Sequence, residues 1–405
     1  MRLLHTSDWH LGQRLINQDR SLEHKAALDF ILETIDRERV DVLVIAGDIF
    51  DTASPSSAAQ TLYFNFLTRL LKTSLKATLV IGGNHDSPAL LNAPASLLNH
   101  LNIHIVGKAK EKIESQLIEV KQEDELLCVF AAVPFLRDKD FRVEKTMETA
   151  HDRVDRIKQG ILHHYTSLGV YAKKYTDTPV IATGHLYVQN AQAQEARENI
   201  YLGDTQNIKA SAFPNSFDYV ALGHIHRLQQ IDNENVWYSG SIIPMSFSER
   251  SDTKGILLVD FDQKQVVSTQ ILSIPQTRRL KSLSVNRENF KEKLDIFNAR
   301  HQEEEKAWIE IILEEEYISS QFQAQIYQYI EDKELNLQVL KITKKKNKHN
   351  IFTEEVVDRI ENYTPQQIFA MKCEAEQIPK EKVKTLNLAL NEIIEQINTP
   401  QNEDS

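Results

Sequence analysis

Five short polar clusters, most of them closing an apolar run, constrain this chain of 405 residues more than any other feature. They are Asp8-Trp9-His10, Gly47-Asp48 through Asp51, Gly82-Gly83-Asn84-His85-Asp86, Gly184-His185 and Gly223-His224-Ile225-His226. Runs such as Val42-Leu43-Val44-Ile45-Ala46 and Leu79-Val80-Ile81 have the unbroken apolar character of strands buried on both faces of an α/β sheet. Ligands of open α/β folds gather beyond the carboxyl ends of the strands. The repeated order of strand, then Asp, Asn or His, therefore predicts convergence at one sheet edge.

Such a convergence offers carboxylate, amide oxygen and imidazole nitrogen and no thiolate, a donor set suited to Mn, Fe or Zn, with Mn the first choice. Asp48 is then a natural bridge between two divalent ions about 3.5–4 Å apart, and two such ions supply an activated water for in-line attack on phosphorus while neutralising the charge that grows on its oxygens. No protein nucleophile is needed. The leaving oxygen still requires a proton, for which His85 beside Asn84 is the candidate donor, with Asp51 to orient its ring. His5, His24, His100, His104, His151, His163, His164, His301 and His349 read as structural or exposed.

A net charge of -11 argues against a protein that coats nucleic acid by bulk electrostatics, but leaves room for one that grips phosphate through bound cations and a basic partner. Cys128 and Cys373 stand far apart without CxxC spacing, so neither a disulfide framework nor a zinc ribbon is expected, and a reducing cytoplasm fits best. No apolar run approaches the roughly 18 residues of a membrane span.

To about residue 110 the pattern alternates strand and helix, as parallel βαβ units do. Leu28, Ile31, Leu32 and Ile35 mark one helical stripe, and Ser54-Pro55 reads as an N-cap and N1 pair before the helix carrying Leu62, Phe66 and Leu70. Two strands are expected within 115–135, a helix over 144–164, a strand at Val180-Ile181-Ala182-Thr183 and one closing strand at Ile256-Leu257-Leu258-Val259. The Gln/Ala-rich stretch between Tyr187 and Pro214 fits a lid, a substrate loop or a solvated surface loop. After Ile274-Pro275 the pattern becomes strand, helix, strand, helix, strand over 280–285, 288–301, 308–313, 321–330 and 335–342. The basic run Lys344-Lys345-Lys346-Asn347-Lys348 fits a solvated linker or a phosphate contact. In the tail, Val383, Leu386, Leu390, Ile393 and Ile397 keep heptad steps, for packing on the chain's own body or for docking a partner's coiled coil.

The ordered motifs Asp8-x-His10, Gly47-Asp48-x-x-Asp51, Gly83-Asn84-His85-Asp86, Gly184-His185 and Gly223-His224-x-His226 resemble those of the calcineurin-like metallophosphoesterase superfamily. Within it, His5 through Gly12, Ala46 through Asp51 and Ala221 through Arg227 resemble the SbcD family of nuclease subunits. The resemblance implies a four-layer α/β sandwich core over 1–274, a small α+β capping domain over 275–349 that touches DNA, and C-terminal helices over 350–405 that bind an SbcC-type coiled-coil ATPase. It also implies that Asp8, His10, Asp48 and His226 hold one metal, that Asp48, Asn84, His185 and His224 hold the other, and that His85 assists the leaving group. The activity it implies is an ATP-dependent exonuclease on duplex DNA ends with single-strand and hairpin endonuclease activity, in a homodimer within a heterotetramer. ATP would be handled by the partner, since the chain has no GxxxxGK[ST] motif. The alternative is a small-molecule or cyclic nucleotide phosphodiesterase with the same metal chemistry, against which the region after Pro275 speaks.

Overall fold

The computed structural model of the chain describes residues 1–141, 150–192, 208–232, 234–301, 305–314 and 319–345. Met1–Lys344 forms one compact unit. Its centre is a pair of six-stranded sheets. The first takes the order Gln265–Ser273, Gly255–Asp262, Arg2–Thr6, Val42–Ala46, Ala77–Ile81, Ile103–Val106, parallel from Arg2–Thr6 to Ile103–Val106. The second takes the order Gln229–Gln230, Val236–Tyr238, Tyr219–Gly223, Val180–His185, Glu125–Ala131, Leu117–Gln122.

Side-chain alternation along each strand sorts the residues into layers. Leu3, Val42, Val44, Ala46, Leu79 and Ile81 face Cys128, Phe130, Ile181, Tyr219 and Ala221 of the second sheet in a shared inner core. Their neighbours Leu4, Leu43, Ile45 and Val80 point the other way and pack under helices Ser21–Arg37 and Ser57–Leu70. On the far side, Val129, Ala131, Val180, Ala182, Val220 and Leu222 receive Tyr165, Leu168 and Ala172 of helix Ala150–Ala172. The result is the four-layer order helix, sheet, sheet, helix. Because central strands bury both faces, their sequences show apolar runs instead of alternation.

Leu28, Ile31, Leu32 and Ile35 are all buried on the first helix, as their spacing predicts. The second helix starts later than its proline suggests. Ser56, not Ser54, is its N-cap, and the Ser56 side chain accepts from the Ala59 N–H. The expected single closing strand is a hairpin of Gly255–Asp262 and Gln265–Ser273. Its second strand lies at the sheet edge with no residue fully buried, so no hydrophobic period announced it.

Strands Leu280–Val285, Ala307–Leu313 and Leu337–Lys344 form a third, all-parallel sheet, linked by helices Phe290–Arg300 and Ser320–Asp332. Val285, Leu294, Phe297, Ile309, Ile311, Phe322 and Ile326 fill a core of its own. A small second cluster of Leu15, Phe247, Leu280 and Trp308 joins this sheet to the sandwich. There the Arg278 guanidinium lies 4.5 Å and that of Arg20 5.8 Å from the Trp308 ring centre, with Glu23 paired to both arginines. Residues 193–207, most of the Gln/Ala-rich stretch, fall outside the described residues, as do residues 346–405 with the heptad seam and most of the basic run.

Candidate metal centre

Each sheet contributes from the carboxyl ends of neighbouring parallel strands. Asp8 and His10 follow Arg2–Thr6, Asp48 and Asp51 follow Val42–Ala46, and Asn84 and His85 follow Ala77–Ile81. His185 ends Val180–His185, while His224 and His226 follow Tyr219–Gly223. All nine residues predicted from the sequence are brought to one region.

The strand ends turn sharply to achieve this. Asp8, His10, Asp48 and His224 hold φ values of 50°, 46°, 49° and 96°, the left-handed region that side chains other than glycine rarely occupy. Each such residue costs on the order of 1–3 kcal/mol and persists only where its surroundings fix it. Here the fixing contacts are visible. The His224 N–H donates to the Asp8 carboxylate at 2.9 Å, the His85 N–H donates to Asp48 Oδ1 at 2.9 Å, and Asp86 accepts from the N–H groups of Ile49, Phe50 and Gly83 at 3.2, 3.0 and 2.8 Å. Asp86 thereby ties the Asp48 loop to the Asn84 loop. Gly83 is required by crowding, since a Cβ there would fall 2.1 Å from Asp48 Oδ1.

The ring nitrogens are sorted by what holds them. A carbonyl oxygen can only accept, so His185 donates through Nδ1 to the Ala46 carbonyl at 2.9 Å and His85 donates through Nδ1 to the Asp51 carbonyl at 2.7 Å. His226 turns Nδ1 toward the Glu249 carboxylate at 3.2 Å. Hydrogen bonds on Nδ1 leave Nε2 for the centre, the arrangement in which imidazoles bind metals. There His10 Nε2 lies 3.2 Å from His226 Nε2, and His185 Nε2 lies 3.2 Å from Asp48 Oδ2 and 3.1 Å from Asn84 Oδ1. His224 uses its other nitrogen, with Nδ1 3.0 Å from Asn84 Oδ1. Asp48 Oδ2 is also 3.6 Å from His10 Nε2, so this one carboxylate oxygen stands between the two halves of the cluster.

Asp51 contacts His85 through its backbone carbonyl, whereas its carboxylate lies 3.4 Å from His10 Nδ1. The side-chain contact expected between Asp51 and His85 is thus made by the main chain, because the loop after Asp48 turns its peptide and not its carboxylate toward the ring.

Electrostatics follow from burial and crowding. Burial would raise the Asp48 carboxyl, but His185, then His10 and His85, hold it well below the usual carboxylate range. Burial would lower His185, yet Asp48 beside it pushes the ring up to about 9. Asp86 is pushed up to about 6 by burial and by the nearby Asp48 charge. Divalent cations fit this set: imidazole and oxygen donors converge, and Asp8, His10 and His226, like Asp8, Asp48 and His185, can each offer atoms lying within 4.8 Å of one another. His10, Asp51 and His85 satisfy the same distance limit.

The centre forms the floor of a cleft of about 770 Å³. Arg14, Arg250, Lys341 and Glu310 are among the residues lining it, the last two from the third sheet. Glu249 and its partner Lys254, buried beneath His226, went unnoticed in the sequence because they lie outside all five clusters. A buried Glu and Lys in an otherwise unremarkable loop leave no periodic signal.

The profile of the calcineurin-like phosphoesterases matches residues 1–228, and that of the type 5 capsule protein repressor C-terminal domain matches residues 276–377. The SbcD component of the SbcCD nuclease from Escherichia coli K12 is 36% identical over 323 residues, 78% of this chain and 79% of that protein. The SbcD component from Bacillus subtilis 168 is 35% identical over 267 residues, 64% of this chain and 66% of that protein. The chain therefore belongs to the calcineurin-like phosphoesterases and, within them, to the SbcD group of nuclease subunits, which makes it a metal-dependent phosphodiester hydrolase.

Proposed function

We propose that the chain is the nuclease subunit of an ATP-dependent complex with an SbcC-type coiled-coil ATPase, cutting DNA at duplex ends and in single strands and hairpins, with two Mn ions, in the cytoplasm. The observation that carries this reading is Asp48 Oδ2, 3.2 Å from His185 Nε2 and 3.6 Å from His10 Nε2. On this reading Asp8, His10, Asp48 and His226 hold one ion, and Asp48, Asn84, His185 and His224 hold the other. Two such ions supply an activated water and neutralise charge on the phosphoryl oxygens. What the chain itself contributes is placement. The Asp51 carbonyl keeps the His85 proton on Nδ1, so Nε2 is the atom from which His85, once protonated, hands a proton to the leaving oxygen.

Lys341 and Glu310 bring the third sheet to the cleft wall, where a long substrate would meet it. A compact phosphodiesterase needs no such wall, which favours the nuclease reading. Residues 275–349 are proposed as the capping domain, residues 350–405 as the segment that docks the ATPase, and the assembly as a homodimer of nuclease subunits within a heterotetramer.

The test is degradation of an end-labelled linear duplex with Mn, with and without the ATPase partner and ATP, beside bis-p-nitrophenyl phosphate. Partner-stimulated loss of the duplex is the expected result. Hydrolysis of the small ester alone would overturn the nuclease complex in favour of a small-molecule phosphodiesterase. A chain ending at residue 349 should keep the ester activity and lose ATP stimulation.

A further inference from the structure

Nothing in the five clusters explains why the loop after strand Val236–Tyr238 folds beneath His226. Gly240 has φ of 71°, and a Cβ there would lie 2.6 Å from the His226 carbonyl oxygen, so the loop presses directly on that residue's backbone. The His226 carbonyl accepts from the Ser241 N–H at 3.2 Å and from Lys254 Nζ at 2.9 Å. Glu249, 1% exposed, takes the His226 ring through Oε1 at 3.2 Å. Its Oε2 accepts from Lys254 Nζ, from the Met245 N–H at 3.1 Å and from Ser241 Oγ at 3.3 Å. One carboxylate and one ammonium therefore grip both the ring and the peptide of a single histidine.

We propose that Glu249, anchored by Lys254, is a positioning residue for one of the two metal sites: it fixes the His226 tautomer and ring orientation so that Nε2 is presented to the ion shared with Asp8 and His10. The inference rests on the two-metal reading and deepens it. Metal-bound imidazoles gain basicity and a fixed orientation from a carboxylate on the other nitrogen, and losing such a partner weakens metal binding by roughly 10–100-fold. Because Glu249 touches His226 and none of the other proposed ligands in the bonds above, the effect should fall on one ion and spare its neighbour. Glu249 and Lys254 lie beyond residues 1–228, the part matched by the phosphoesterase profile.

The experiment is calorimetric titration of Mn into the metal-free full-length protein, with circular dichroism and an unfolding midpoint recorded for every variant. Wild type should bind two equivalents. Glu249→Gln should weaken one equivalent by roughly 10–100-fold and leave the other within about twofold. Gln can strand the buried Lys254 charge, so Glu249→Gln with Lys254→Met serves as the second variant and should show the same one-site loss with native circular dichroism. In a His226→Ala background, Glu249→Gln should change Mn binding no further, a result that a merely structural role would not give. Unchanged affinity at both equivalents, equal weakening of both, or an undiminished effect in the His226→Ala background would each overturn the proposal. A wild type that binds no second equivalent would instead remove the two-metal reading, and the proposal with it.

Discussion

The sandwich and the third sheet both contain parallel strands joined by helices, with antiparallel strands at the edges of the sandwich sheets only, yet their strand ends differ in kind. In the sandwich, Asp8, His10, Asp48 and His224 stand in left-handed backbone at the carboxyl ends of strands. Among the described residues after Asn286, Glu334 alone has a positive φ, and it lies in the turn after helix Ser320–Asp332. The third sheet spends its sequence on a regular core, while the sandwich keeps conformationally costly residues in place with hydrogen bonds such as those of Asp86. Strain held by a rigid frame is what lets groups from two sheets share one small volume.

The contrast can be broken most severely at Asp48. On the two-metal reading, Asp48→Ala should reduce turnover of bis-p-nitrophenyl phosphate by much more than the roughly 100-fold upper value for partners outside the ligand set, with circular dichroism unchanged. Turnover near the wild-type value would refute its bridging role. His85→Ala comes next: cleavage should slow by roughly 100–10,000-fold while calorimetry still finds two bound Mn equivalents. Loss of an equivalent would make His85 a ligand.

In the third sheet the same kind of truncation should act on stability alone. Leu294, fully buried in helix Phe290–Arg300, should cost about 2–5 kcal/mol when changed to Ala, read from denaturant unfolding, with hydrolysis of the small ester kept below the transition. An ester activity that fell in step with His85→Ala would erase the contrast between the two regions.

The smallest effect is on acid stability. Burial lowers His5 to about 3 and His24 to about 4 from an ordinary 6.5, so both are neutral when folded and gain protons on unfolding at mild acidity. Their contribution is whole above pH 6.5 and falls as pH drops, toward 4 for His24 and toward 3 for His5, at most about 1.4 kcal/mol per pH unit for each ring. Metal-free His24→Gln should therefore lose less stability between pH 6.5 and 4.5 than wild type, measured by urea unfolding. An equal or steeper loss would show that His24 does not titrate in this way.

Much of this was legible because burial on both faces writes unbroken apolar runs, and because the site residues sit directly after those runs. The helix of Leu28, Ile31, Leu32 and Ile35 and the alternation after residue 280 followed from period alone. Three things were not legible. The edge strand Gln265–Ser273 has no buried face to write a pattern. The Asp51 contact depends on which atom a turn presents, a matter of φ and ψ that composition does not encode. Glu249 lies 23 residues beyond His226 and meets it only because Gly240 lets the chain double back.

The sandwich also has a far end, which bears none of the five clusters and has a cavity of about 620 Å³ with Met1, Glu123, Asp124 and Gln263 among its lining residues. The turns at Gln122–Glu125 and Asp262–Gln265 close antiparallel hairpins whose partner strands run the other way toward the metal cluster, which puts both turns at the pole opposite the cleft, where Glu123, Asp124 and Gln263 are exposed. That pole is a natural handle: a fluorophore or surface tether fixed at Glu123 or Gln263 would hold the protein with its cleft facing outward, so that single molecules could be watched without a label in the path of the substrate.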